Sequence, residues 1–296
     1  MRAEVTRHTL AEIAENYEAA MAWVDSVGFP TERGRHTVYR KTITRLREQF
    51  PAIGWGDLTD DAYRDQVCAA LLESRELVSI YRGLSGLDNP DALPNLRHYI
   101  KGPELSAHER AETSSNRPRN LGFELYLNAL FAYAGLVPRY DTKADLLFSS
   151  DRLHVFVEAK RPMTEQAVHA SVCEAIKQLT HRFTPEEEFD QAGIVALDLS
   201  KVINPKNLVM PVRDEEHLYD LMQAEDLLQT RRLYPTVAKN VKPGVVGILL
   251  HYRLLANFQP SGDLNTVKWL GWIPFLEDPR LEDVFKRVAG VVQLIC

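Results

Sequence analysis

The chain has 296 residues, 45% hydrophobic and 26% charged, a balance that fits a globular protein of one large domain or two ordinary ones. Its net charge of −6 excludes a surface that is basic throughout, and its three scattered cysteines exclude a disulfide framework or a zinc cluster. No apolar run reaches the length of about 18 residues that a membrane span needs, and the charged start MRAEVTRHTLAE lacks the apolar segment of a secretory signal, so a reducing, cytoplasmic setting is expected.

Residues 1 to about 82 read as helical. Ile13, Tyr17, Ala20, Met21 and Val24 recur at helical spacing, and the first helix is expected to end at Gly28, ahead of Pro30. A second covers His36 to Phe50 and stops at Pro51. Thr59 is the expected N-cap of a third, which runs to about Arg82 with Gly83 after it. Residues 83–119 carry Gly, Pro, Asn and Ser at loop density. A boundary is therefore expected near residue 110. It divides a helical N-terminal region (1–110), suited to a partner, regulation or oligomerisation, from an α/β domain with a C-terminal extension (111–296).

From Asn120 helix and strand alternate. NLGFELYLNALFAYAG is an apolar helix with Asn120 as cap and Gly135 as stop. LVPRYD, ADLLF and LHVFVEAK follow as short strands. TEQAVHASVCEAIKQLTHRF is a helix with Val168, Val172, Ile176, Leu179 and Phe183 on one face, and AGIVALDL is a buried-type strand. Residues 213–232 read as a helix, and GVVGILLHYRLL and TVKWLGWIPFL as strands. LEDVFKRVAGVVQL fits either helix or strand.

The stretch SSDR between ADLLF and LHVFVEAK suits a tight turn. A turn centred on it places Asp145 opposite Phe156 and diagonal to Glu158, about 7–8 Å away at Cα. Strand alternation then gives one face to Leu146, Phe148, Leu153, Val155, Val157 and Ala159. The other takes Asp145, Leu147, Ser149, Arg152, His154, Phe156, Glu158 and Lys160. Two carboxylates and an amine on one face suit a hard cation. Mg2+ takes oxygen ligands, commonly one or two carboxylates with water and substrate phosphate. Asp145 and Glu158 supply the carboxylates, the Ala159 carbonyl a third oxygen, and Lys160 a charge that holds a water or steadies a phosphate. Arg161 is placed to meet a flanking phosphate. The plain alternative is a solvated strand face with a Glu–Lys pair worth little.

Asp145, then twelve residues, then Glu158-Ala159-Lys160, in the order helix–strand–strand–strand–helix–strand, resembles the PD-(D/E)xK nuclease superfamily over roughly residues 117–200. The resemblance implies a restriction-endonuclease-like fold, an α/β mixed central sheet flanked by helices, here preceded by the N-terminal helical region. It implies an endo- or exodeoxyribonuclease dependent on Mg2+ or Mn2+, with Asp145 and Glu158 as ligands and Lys160 as the catalytic lysine, serving defence against foreign DNA or repair. Ala144 stands where the family name has proline. Glu124 sits early in the preceding helix, where many members place an acid near the metal; its plain reading is an acid at the positive end of a helix dipole. Gln178 matches a glutamine of several exonuclease-like branches, with Arg182 where those branches carry tyrosine.

Between Arg117 and Arg161, seven basic residues (Arg117, Arg119, Arg139, Lys143, Arg152, Lys160, Arg161) face five acids, three of which are the candidate ligands. The region is locally basic, so nucleic acid is the expected partner, DNA ahead of RNA, contacted by Lys143, Arg152 and Arg161. A catalytically inactive nucleic-acid-binding or interaction module and a ribonuclease are the competing readings. A cut through two strands would suit a two-fold homodimer.

Overall fold

The computed structural model describes residues 8–295 except 33, 50–54, 56–57, 88–89, 106–107, 110–115, 141–143, 151–152, 184–189, 260, 262, 276–278 and 293. The N-terminal part is helical: α1 (Leu10–Ser26), α2 (Arg35–Gln49), α3 (Asp61–Leu84), α4 (Leu93–Tyr99) and α5 (Arg117–Tyr133). Thr9 and Glu12 open α1 as a reciprocal capping box, with 2.7 Å and 3.2 Å hydrogen bonds to each other's backbone N–H. The five apolar residues expected to line α1 are all buried, and Gly28 closes it at φ +89°.

Among these five helices, three boundaries differ clearly from expectation. Asp60, not Thr59, caps α3, accepting from N of Ala62 at 3.0 Å. Gly83 lies inside α3, which ends at Leu84; a Cβ there would meet the Ala129 carbonyl of α5 at 2.4 Å, so the bare backbone lets the two helices cross. Helix α5 starts at Arg117, three residues ahead of the expected cap Asn120, with Pro118 in its first turn, where the missing N–H costs nothing. The segment read as loop also contains α4, which buries Leu96 and Tyr99.

The strands are β1 (Leu146–Ser150), β2 (Leu153–Lys160), β3 (Asp190–Asp198), β4 (Val209–Val212), β5 (Val245–Phe258) and β6 (Asp263–Pro274). Between and after them come α6 (Glu165–Arg182), α7 (Ser200–Ile203), α8 (Glu215–Asn240) and α9 (Pro279–Val291). Among the described residues they form one mixed six-stranded sheet. β2, β3 and β5 are parallel, β1 and β6 close the two sides as antiparallel strands, and β4 runs parallel to β5 beyond the end of β3. The crossover from β2 to β3 passes through α6. The described residues of LVPRYD make only a bridge, Arg139 with Leu147, joined by two 2.8 Å hydrogen bonds. Helix α8 continues through Pro235 because Leu233 and Val237, on either side of it, are buried. The ambiguous C-terminal segment is helical and stacks Phe285 on Trp272.

Alternation sorts the hairpin as expected, but both faces are covered. Leu146, Phe148, Leu153, Val155 and Val157 join a core shared with α1, α3 and α5, while Leu147 and Phe156 join a second core with Val168, Val172, Ile176 and Leu179 of α6. The solvated-face reading of the hairpin therefore fails. The first core takes residues from Ile13 to Ile295, on both sides of residue 110. Among the described residues no helix is long and apolar enough to cross a membrane.

The register is shifted by two residues from the expected one. Leu147, not Asp145, faces Phe156, and Ser150 pairs with Leu153. A shift of two leaves every side chain on its expected face and moves Asp145 from a diagonal position to the level of Glu158.

Candidate active site

The site is built where β2 ends. Glu158 and Lys160 project with Phe156 toward α6, and Ala159 and Arg161 project the other way. The Glu158 side chain is 1% exposed. Its Oε1 lies 2.6 Å from Nη2 of Arg182, and its Oε2 lies 3.5 Å from Nζ of Lys160. Asp145, just ahead of β1, accepts a 2.8 Å hydrogen bond at Oδ2 from N of Ala159.

The electrostatics tie Glu124 to this group. Burial, then the Asp145 carboxylate, pushes Glu158 up to about 7, against the pull of Lys160 and Arg182. Burial raises Asp145, opposed by the Ala159 hydrogen bond and Lys160. Burial, then Asp145, pushes Glu124 up to about 8, with Lys160 opposing and Glu158 adding to the rise. Such mutual effects need the carboxyls of Asp145, Glu158 and Glu124 within Coulombic reach of each other and of Lys160. Because α5 begins at Arg117, Glu124 sits about two turns in, beyond the first turn where a helix dipole acts. The dipole reading of Glu124 is thereby displaced by its proximity to Asp145.

Among the described residues, no group of three or more His, Cys, Asp or Glu side chains is arranged to hold a metal ion as it stands. The Glu158 oxygens face Arg182 and Lys160, and one Asp145 oxygen is held by backbone. The donors themselves are hard oxygens, adjacent to the Ala159 backbone, and of the type that a Mg2+-sized cation takes.

The remaining expected residues divide. Gln178 lies on α6, donates to Glu174 at 3.4 Å, and keeps a buried Oε1 that has no hydrogen-bond partner among the described residues. It makes no hydrogen bond to Asp145, Glu158 or Lys160. Its neighbour one turn on, Arg182, is the residue that reaches Glu158. Sequence reasoning noted Arg182 only as a departure from tyrosine, although Glu174, Gln178 and Arg182 are spaced four apart and share a helix face.

Arg161 does not face the site. One step along the strand reverses the face, and its guanidinium forks onto Glu109 at 3.1 and 3.2 Å, with Nε 3.4 Å from Asp198. At 3% exposure it is withdrawn from any phosphate on the surface. Arg119 is likewise buried, paired with Glu73 at 2.9 Å, so the basic patch expected between Arg117 and Arg161 loses two of its members. Lys143 and Arg152 lie outside the described residues.

Glu124 offers a test of these electrostatics that needs no substrate. A carboxyl raised in the fold is accommodated in its neutral form at low pH; the folded state loses stability as pH climbs from the ordinary 4.5 through about 8. Glu124→Gln, which stays neutral, is expected to match the wild-type thermal midpoint below about pH 4.5 and to exceed it by several degrees above about pH 8. Equal midpoints across that range would place Glu124 in water.

Searches against family models, curated proteins and solved structures gave no match to the chain.

Proposed function

We propose that the chain is a divalent-metal-dependent nuclease that hydrolyses phosphodiester bonds, in DNA first. The observation that carries this reading is the buried Glu158 carboxylate, with Lys160 at 3.5 Å and with Asp145 raising the proton affinity of both Glu158 and Glu124. Acids packed this way repel, and a cation shared among them relieves the repulsion. The order α5, Arg139 bridge, β1, β2, α6, β3, with β2 and β3 parallel, supports the restriction-endonuclease-like fold that the resemblance implies.

Asp145 and Glu158 would hold Mg2+ or Mn2+, with the Ala159 carbonyl and Glu124 as further oxygens. The ion supplies a polarised phosphate and a bound water acidic enough to attack near neutral pH. Lys160 places an ammonium beside the same carboxylate, where it holds the attacking water or the phosphate oxygen that gains charge. The second core excludes water from one side of the site, so these charges act in a medium less screening than bulk solvent.

A second reading, a non-catalytic nucleic-acid-binding module, draws on the two cations that hold Glu158 and on the lack of a ready-made metal group among the described residues. The two are separated by incubating the protein with plasmid, single-stranded DNA and RNA in Mg2+, Mn2+ or EDTA. Cleavage that EDTA abolishes is expected, with DNA ahead of RNA. Retained binding without cleavage of any substrate in either metal would select the second reading.

A further inference from the structure

We infer that Arg182 is the phosphate-contacting residue of this site, held on Glu158 until a divalent cation takes that carboxylate and then engaging a non-bridging oxygen of the substrate phosphodiester. This rests on the nuclease reading above and names a residue that reading does not include.

Of the residues expected to meet phosphate, Arg161 is buried on Glu109 and Asp198, and Lys143 and Arg152 lie outside the described residues. Lys160 and Arg182 are the two cations paired with Glu158. Their side chains are almost equally exposed, 19% and 20%, but they start from different elements: Lys160 ends β2, two residues after Glu158, whereas Arg182 comes from the last turn of α6 on a longer side chain. The Arg182 pairing is a close contact through one nitrogen, 2.6 Å from Oε1. Its Nε is buried with no hydrogen-bond partner among the described residues, so the planar fork is only partly used.

A cation bound through Glu158 draws on the electron density that Arg182 now shares. The guanidinium then loses its counter-charge, and a partly buried guanidinium left unmatched is destabilised. A phosphate arriving at the same metal restores that counter-charge and accepts two parallel N–H bonds, the geometry in which Arg binds better than Lys. Gln178, one turn earlier on the same face, carries a buried Oε1 without a hydrogen-bond partner among the described residues.

The test uses Arg182→Gln and Arg182→Lys in the full chain, with two readouts. Mn2+ binding is measured by titration calorimetry, and DNA cleavage by initial rates at saturating Mn2+. Arg182→Gln is expected to bind Mn2+ as tightly as wild type or tighter, yet to cleave about 100-fold more slowly, as for loss of one donor to a charged transition state. Arg182→Lys, which keeps the charge without the fork, is expected to recover about a tenth of the wild-type rate or more. A matching circular dichroism melt controls for folding.

If Arg182→Gln weakens Mn2+ binding and cleaves at the wild-type rate once metal is saturating, Arg182 only orients Glu158 and the inference is overturned. If wild type binds Mn2+ but cuts neither DNA nor RNA, the nuclease reading itself fails and the inference with it. The wild-type control therefore tells one failure from the other.

Discussion

Lys160→Ala is expected to slow cleavage of supercoiled plasmid in Mg2+ by about 10²–10⁴-fold while leaving Mn2+ binding near its wild-type value. The ammonium makes a 3.5 Å pair with Glu158 and is 19% exposed, so its removal leaves Glu158 with Arg182 and opens no core cavity. Asp145→Asn gives a different pattern, with no split. The asparagine carbonyl still accepts from N of Ala159, so the local fold holds, but a charged donor is lost and metal binding should fall along with the rate. The pair of variants thus assigns roles as well as importance. Measured rates and calorimetric affinities together decide it. A Lys160→Ala enzyme that cuts at the wild-type rate would move the chemistry away from the end of β2, even if the protein proved to be a nuclease.

The second large effect concerns the other face of the sheet. Glu73, on α3, pairs with Arg119 at 2.9 Å, Arg253 at 3.1 Å and Arg35 at 3.4 Å, with all four side chains nearly inaccessible. Burial opposes the charge, and the guanidiniums of Arg119, Arg35 and Arg253 overcome it, holding the Glu73 carboxyl well below the usual range. The network runs on through Glu76, 2.5 Å from Arg253, and through Glu109 to Arg161 and Asp198. It joins α2, α3, α5, β3 and β5 with Arg161, the residue after β2.

Glu73→Ala removes a counter-charge from three buried cations: Arg253 keeps Glu76 and Arg119 keeps Glu109, while Arg35 is left with no carboxylate partner among the described residues. Breaking a buried pair costs about 3–5 kcal/mol, a large share of a total stability of about 5–15 kcal/mol. Urea unfolding should show a midpoint lowered by that amount with an unchanged slope, or a variant that does not accumulate folded. The contribution of Glu73 is present above the ordinary carboxylate range and is lost as pH falls toward its depressed value, so the difference between variant and wild type should shrink in acid. A midpoint shift worth less than about 1 kcal/mol would mean that water reaches these groups.

The hairpin shows how far local pattern reaches. Strand alternation assigned every side chain of β1 and β2 to its correct face, because parity survives any register shift of two. It did not choose between registers, since two turns differing by one step at each end sort the faces alike. The choice fell to the packing around Asp145 and Ala159, residues 14 apart in sequence. Helix α1 and the apolar stripe of α6 were equally legible, being repeats within one element. The start of α5 was not, and with it went the position of Glu124 relative to the helix end.

The sequence by itself determined the order of the longer helices and strands but not α4, α7 or β4, and it determined the two-faced hairpin and the acid–acid–lysine spacing at its end, because these depend on residue period and near neighbours along the chain. Only the tertiary structure decided that both sheet faces are covered, that Arg161 turns inward to Glu109, and that Arg182 reaches Glu158. Those outcomes pair charges 52 and 24 residues apart, and which charge meets which is set by how helices dock on the sheet, a choice that no local periodicity contains.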